Sequence, residues 1–236
     1  ISVPHKFKGH VYEDRNCFSG LISDDGPCEI FGNGQLGEVI IVGDSHASVL
    51  AESFLSSINS FYSLLDLTAS GCPFLINSNI FIGRNFVCSS NFQSARQDKL
   101  RDRPNSTVIY HSRLPLYFYG NGFDNEIPGG EEIWPKVRTI GERSFSDLDD
   151  QQEYFIESLI GSIEFIARTN KRLFLILPSF SNGWNPIDRL FSMEVNDFSF
   201  EEARLNLRIP KKIVNKRFSR LREELFLVSN EFENII

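Results

Sequence analysis

A serine hydroxyl carries an acyl group only where a base takes its proton and N–H groups hold the negative charge that develops on the acyl oxygen. Gly43-Asp44-Ser45-His46 meets the positional half of that requirement. The tetrapeptide follows the apolar run Glu38-Val39-Ile40-Ile41-Val42 and opens onto Ala47-Ser48-Val49-Leu50, the start of an amphipathic stretch. Ser45 therefore stands at a strand-to-helix turn. In an open α/β sheet that turn lies at the carboxyl edge, where ligands bind, and the first N–H groups of the helix lack intrahelical partners. The plainer reading is that Gly43 turns the chain while Asp44 or Ser45 caps a helix.

Four histidines are available as the base. His5 and His10 lie in a polar lead-in, and His46 directly follows Ser45, where adjacent side chains diverge. His111 ends a predicted strand at the same sheet edge and is the internal candidate, its alternative being a supporting role.

The elements that must position these residues alternate in type. Strands are predicted at 38–42, 62–67, 107–111 and 171–177, and helices at 46–58, 91–100, 151–169 and 210–230. Residues 73–90 read as a loop, and 120–143 as a Gly/Pro-rich surface loop that either binds substrate or is a variable insertion. Residues 179–207 carry no clear pattern. This order predicts an α/β fold, a three-layer α/β/α sandwich with a parallel doubly wound sheet, with helices on both faces. The domain reads as 38–236, preceded by an irregular lead-in over 1–37. Phe232-Glu233-Asn234-Ile235-Ile236 reads as the opening of a fifth strand.

Gly-Asp-Ser-His after a buried strand, followed by Thr68-Ala69-Ser70-Gly71-Cys72-Pro73, resembles the SGNH hydrolase family. More narrowly, it resembles the branch in which an SGNH domain follows a membrane-embedded acyltransferase-3 domain, in bacterial proteins that O-acetylate surface carbohydrates. The resemblance spans roughly residues 17–236 and implies a flavodoxin-like sheet. It implies that Ser45 is the nucleophile and that the Ser45 and Gly71 N–H groups form the oxyanion hole. Gly71, lacking Cβ, suits a close approach of backbone to the acyl oxygen. The family's third donor is usually an Asn in a Gly-x-Asn-Asp block; here Tyr110-His111-Ser112-Arg113-Leu114-Pro115 stands there. Arg113 is then a cationic substitute, a substrate-binding residue or a simple surface ion pair. Asp44 is expected to brace the turn through backbone hydrogen bonds, with His46 and His111 in support. Family members carry acid and base together in an Asp-x-x-His motif after the last strand, and no such motif occurs after residue 200. The expectation is that a chain extended past residue 236 contains it.

Cys17, Cys28, Cys72 and Cys88 form two local pairs without C-x-x-C spacing or neighbouring histidines. Disulfides Cys17–Cys28 and Cys72–Cys88 are expected, each contributing about 3 kcal/mol and together implying an oxidising compartment such as the periplasm. The alternative is four reduced thiols. A formal charge of −7 argues against general binding to nucleic acid. Lys211, Lys212, Lys216, Arg217, Arg220 and Arg222 lie on one predicted helix, as a solvated face or one turned toward acidic glycans or headgroups. There is no phosphate loop and no dinucleotide fingerprint, so neither a nucleotide nor a metal cofactor is expected on this domain. No apolar run approaches the length of a membrane span.

These readings combine into an expected function. The chain would be a periplasmic domain tethered to the inner membrane through a separate N-terminal acyltransferase-3 domain, which would supply acetyl groups. Ser45 would pass the acetyl group to a hydroxyl of a surface polysaccharide or lipid-linked glycan such as O-antigen. The alternatives are a carbohydrate O-acetyl esterase and a non-catalytic glycan-binding module.

Overall fold

The computed structural model describes residues 28–30, 34–57, 61–124, 126, 137–140, 147–178, 199, 201 and 208–236. Its centre is a five-stranded sheet in the order β1-β3-β2-β6-β8. The strands are β1 (Cys28–Ile30), β2 (Gly37–Gly43), β3 (Tyr62–Thr68), β6 (Thr107–His111) and β8 (Arg172–Leu175). β2 runs parallel to β3 and to β6, and β6 parallel to β8, as the alternating element order predicts. Within the stretch read as an irregular lead-in, β1 instead pairs antiparallel with β3 at the sheet edge.

Strands β2, β3, β6 and β8 present side chains to opposite faces in alternation. Ile40, Val42, Leu65, Leu67, Val108 and Leu173 enter the larger core. That core is covered by helices α2 (Ser90–Arg101), α3 (Leu114–Tyr119), α4 (Leu148–Thr169) and α5 (Lys211–Glu231). Val39, Ile41, Leu64 and Ile109 face the other way, onto Ala47 and Ala51 of α1 (Ser45–Ser57). Continuous Val/Ile runs are what a sheet buried on both faces requires. α4 starts at Asp147, whose carboxylate accepts from Asp150 N–H, and its Phe155, Leu159, Ile163 and Ile166 are fully buried.

Two loop readings are corrected. Residues 73–90 contain the hairpin β4 (Asn79–Ile82) and β5 (Asn85–Cys88), turned at Gly83 with φ +62°. Within 120–143, β7 (Val137–Ile140) pairs antiparallel with β4, completing a second, three-stranded sheet. Two short apolar runs, Ile80-Phe81-Ile82 and Phe86-Val87-Cys88, flank the turn residues Gly83-Arg84-Asn85, which is the pattern of a hairpin. The Cys72–Cys88 disulfide forms, tying this hairpin to the loop after β3. The Cys17–Cys28 pairing falls outside the described residues.

At the far edge, Ile235 bridges Leu173 in parallel, and Ile236 N–H donates to Leu173 O at 2.9 Å. The reading of 232–236 as the opening of another strand agrees with this pairing. A groove of about 450 Å³ beside that edge is lined by Leu175, Leu177, Leu225, Phe226 and Ile236 and holds none of the candidate site residues. No helix among the described residues is long and apolar enough to cross a membrane.

Candidate active site

β2 occupies the point where strand order reverses, since β3 lies on one side of it and β6 on the other. In a doubly wound sheet the crevice opens at the carboxyl ends of such strands. Gly43, the last residue of β2, is abreast of Thr68 in β3 and His111 in β6. The Ser45 turn, the Gly71 loop and the His111 segment therefore all leave the sheet at one edge. Ala69 N–H donates to Gly43 O at 3.1 Å and joins the first two loops directly.

Ser45 is the first residue of α1 and is half-buried. Asp44 rather than Ser45 caps the helix: its Oδ1 accepts from His46 N–H at 2.9 Å, and its carbonyl accepts from Ala47 and Ser48 N–H. Its Oδ2 accepts from Arg113 N–H at 2.9 Å and from the Tyr117 hydroxyl at 3.0 Å. Asp44 N–H donates in turn to Ser112 Oγ at 3.2 Å. A carboxylate 1% exposed is thus held by three donors and ties the turn to the start of α3. Its lone pairs are directed at these donors, so it stabilises the turn that presents Ser45.

The loop after β3 closes a β-turn, with Cys72 N–H donating to Ala69 O at 3.1 Å. Gly71 takes the third position at φ +67°, a left-handed conformation that favours glycine. Among the described residues nothing accepts from Ser45 N–H or Gly71 N–H, and nothing hydrogen-bonds Ser45 Oγ.

His111 is buried, with Nδ1 3.2 Å from Ile176 O. A carbonyl only accepts, so Nδ1 carries a hydrogen, and in the neutral ring the lone pair is on Nε2. The rings of His111 and His46 lie 6.2 Å apart. Arg113 is half-buried beside Tyr117, and its backbone N–H is committed to Asp44. Arg217 of α5 stacks on Tyr119 at 3.9 Å and donates to the carbonyls of Asn121 and Gly122, a structural use of one member of the basic helix.

Sequence reasoning missed Arg96, Tyr110, Ser112 and Tyr117. Arg96 sits in α2, 1% exposed, donating to the carbonyls of Cys72 and Gly43. The signal was the stripe Gln93, Arg96, Leu100, helically spaced and buried on one side of a helix whose composition reads as solvated. Burial lowers the Arg96 guanidinium to about 10, against the opposing pull of Asp66, Tyr110 and Asp44.

Burial, followed by the charge of Asp44, raises the Tyr110 and Tyr117 hydroxyls above their ordinary range. Both tyrosines keep their protons in the folded chain at pH values where the unfolded chain, near 10, releases them. Their stabilisation is complete below pH 10 and falls as pH rises further. Arg96 acts oppositely in the same window, because the unfolded chain holds that proton longer. The variant Tyr117→Phe isolates one tyrosine. In urea titrations from pH 9 to 11.5, wild-type stability is expected to decline more steeply than that of the variant, by up to about 1.4 kcal/mol per pH unit. Parallel slopes would remove Tyr117 from this account.

The family model described as "SGNH domain (fused to AT3 domains)" matches residues 12–234. The chain belongs to the SGNH family. No curated protein and no solved structure matches it. The parallel sheet flanked by helices is the SGNH sandwich, and membership associates the domain with acyltransferase-3 membrane domains in related proteins. Among the described residues no group of three His, Cys, Asp or Glu side chains is placed to hold a metal ion.

Proposed function

We propose that this SGNH domain transfers an acyl group, acetyl in the first instance, through Ser45 to a hydroxyl of a bacterial surface polysaccharide or lipid-linked glycan on the periplasmic side of the membrane. The observation that carries the reading is the unclaimed pair of N–H groups, Ser45 and Gly71, on adjoining loops at the switch point of the sheet. Ser45 Oγ attacks the acyl carbonyl and gives its proton to a base. The carbonyl oxygen, now negative, is held by the two N–H groups, and the donor's leaving group departs with a proton. The sugar hydroxyl then attacks the acyl-serine ester, loses its proton to the base, and restores Ser45. His111 offers an Nε2 lone pair at the same edge. An Asp-x-x-His pair, as the family resemblance implies, would be the alternative base and acid. The acetyl donor would reach Ser45 through an acyltransferase-3 partner domain, with no cofactor on this domain.

The unbonded Ser45 hydroxyl supports the second reading, a glycan-binding module without catalysis, because that reading needs no base. Both readings are tested on the full-length protein with a serine-directed fluorophosphonate, an activated acetyl ester and an acceptor glycan. Covalent labelling at Ser45 and acetyl recovered on the glycan are the expected results. Acetate released as the main product in excess acceptor would make the protein an esterase, and absence of labelling would leave the binding module.

A further inference from the structure

Burying a guanidinium costs several kcal/mol unless its donors are well placed, and Arg96 spends its donors in an unusual way. Its Nη1 donates to Cys72 O at 3.1 Å and to Gln93 Oε1 at 3.4 Å, and its Nη2 donates to Gly43 O at 3.3 Å. The guanidinium lies 4.5 Å over the Phe92 ring. None of its hydrogen bonds to described residues goes to a carboxylate. Its two backbone partners instead lie one residue past Gly71 and two residues before Ser45. Gly43 O accepts from Ala69 N–H as well, so α2, the Ser45 turn and the Gly71 loop meet at one oxygen. Gln93, one turn earlier on the same face, donates to Pro73 O at 2.8 Å and to Cys88 Sγ at 3.1 Å.

We propose that Arg96 is a positioning residue of the acyl-transfer site: its fork grips the two loops from behind and sets the separation of the Ser45 and Gly71 N–H groups. This rests on the reading of those groups as the oxyanion hole. The planar fork is what the task needs, because it spans two carbonyls at once, whereas an ammonium is a single point of charge. Misplacement of reacting groups by about 1 Å costs on the order of 100-fold in rate. Arg96→Lys keeps the charge and loses the span.

The test compares Arg96→Lys and Arg96→Gln with Asn170→Ala in the full-length protein, at a temperature where all are folded by circular dichroism. Asn170 holds the other end of α2, donating to Leu100 O and Arg103 O, and sends neither of these bonds to the two loops. Arg96→Lys is expected to slow fluorophosphonate labelling of Ser45 about 100-fold, and to lower kcat for the acetyl ester with KM little changed. Asn170→Ala, though destabilised, labels as wild type. Amide exchange at Ala47 and Cys72, whose N–H groups are hydrogen-bonded within the Ser45 turn and the Gly71 loop, is expected to accelerate together in the Arg96 variants alone. Should Arg96→Lys not fold, Arg96→Gln gives the same comparison. Wild-type labelling and unchanged exchange in a folded Arg96 variant would overturn the proposal, as would an equal loss in Asn170→Ala. If wild type itself is not labelled, the catalytic reading of Ser45 falls, and the paired amide exchange alone decides whether Arg96 couples the loops.

Discussion

Ser45→Ala is expected to abolish covalent labelling and to reduce acyl transfer by at least about 1000-fold while leaving the fold intact. The separation of the two effects follows from which residue caps α1. Asp44 supplies the carboxylate that accepts from His46 N–H and the carbonyl that accepts from Ala47 and Ser48. Ser45 Oγ bonds no described residue, so removing it leaves no buried partner unsatisfied. Stability should change by no more than about 0.5 kcal/mol. Asp44→Ala is the instructive contrast, because it strips acceptors from two backbone N–H groups and the Tyr117 hydroxyl. Leaving even one of these buried donors unsatisfied costs about 1–3 kcal/mol. Mass spectrometry of the trapped acyl-enzyme and thermal melts of both variants check the pair. A Ser45→Ala variant that still transfers acetyl would move the nucleophile elsewhere.

The parts of this site legible in the sequence are those whose chemistry coincides with a local pattern. An apolar run ending in Gly-Asp-Ser-His announces a strand, a turn and a helix, and β2 and α1 form there. Gly71 was singled out by the family resemblance and its lack of Cβ, and the structure adds a further reason for a glycine there, a β-turn whose third residue is left-handed. The supporting residues escaped because burial of polar groups contradicts the pattern that locates cores. Gln93 and Arg96 are enclosed because the two loops supply carbonyls for their donors, an arrangement settled by tertiary contact between residues far apart in the chain. Tyr117 and Ser112 likewise acquire their meaning only once Asp44 is brought beside α3, a six-residue helix opened by Pro115 that residue pattern alone did not mark. β7 was hidden differently. A four-residue strand in a Gly/Pro-rich stretch has too little pattern of its own, and its pairing with β4 defines it.

Gly43→Ala is expected to be the most damaging substitution for folding, at about 4 kcal/mol or more. Gly43 has φ +152°, which L side chains rarely adopt, and it is in register with His111 across the parallel β2–β6 pair. A Cβ there would run into the backbone carbonyl of His111 and come within 2.8 Å of Ala47 Cβ. Neither obstacle is the free end of a side chain, so relief requires β2 and β6 to part at the point where the Ser45 turn begins. Gly71→Ala provides the comparison. Its φ of +67° also strains an alanine, but the nearest atom to the new Cβ is Ile82 Cδ1 at 3.0 Å, a side-chain tip able to move. Its cost should stay near 1–3 kcal/mol, the range for one residue held in a disfavoured backbone region. Urea midpoints of the two variants measure the difference directly. Equal losses would mean that strain at these glycines, and not the closeness of β6, governs the turn, and the packing of β2 against His111 would no longer explain why a glycine precedes Asp44.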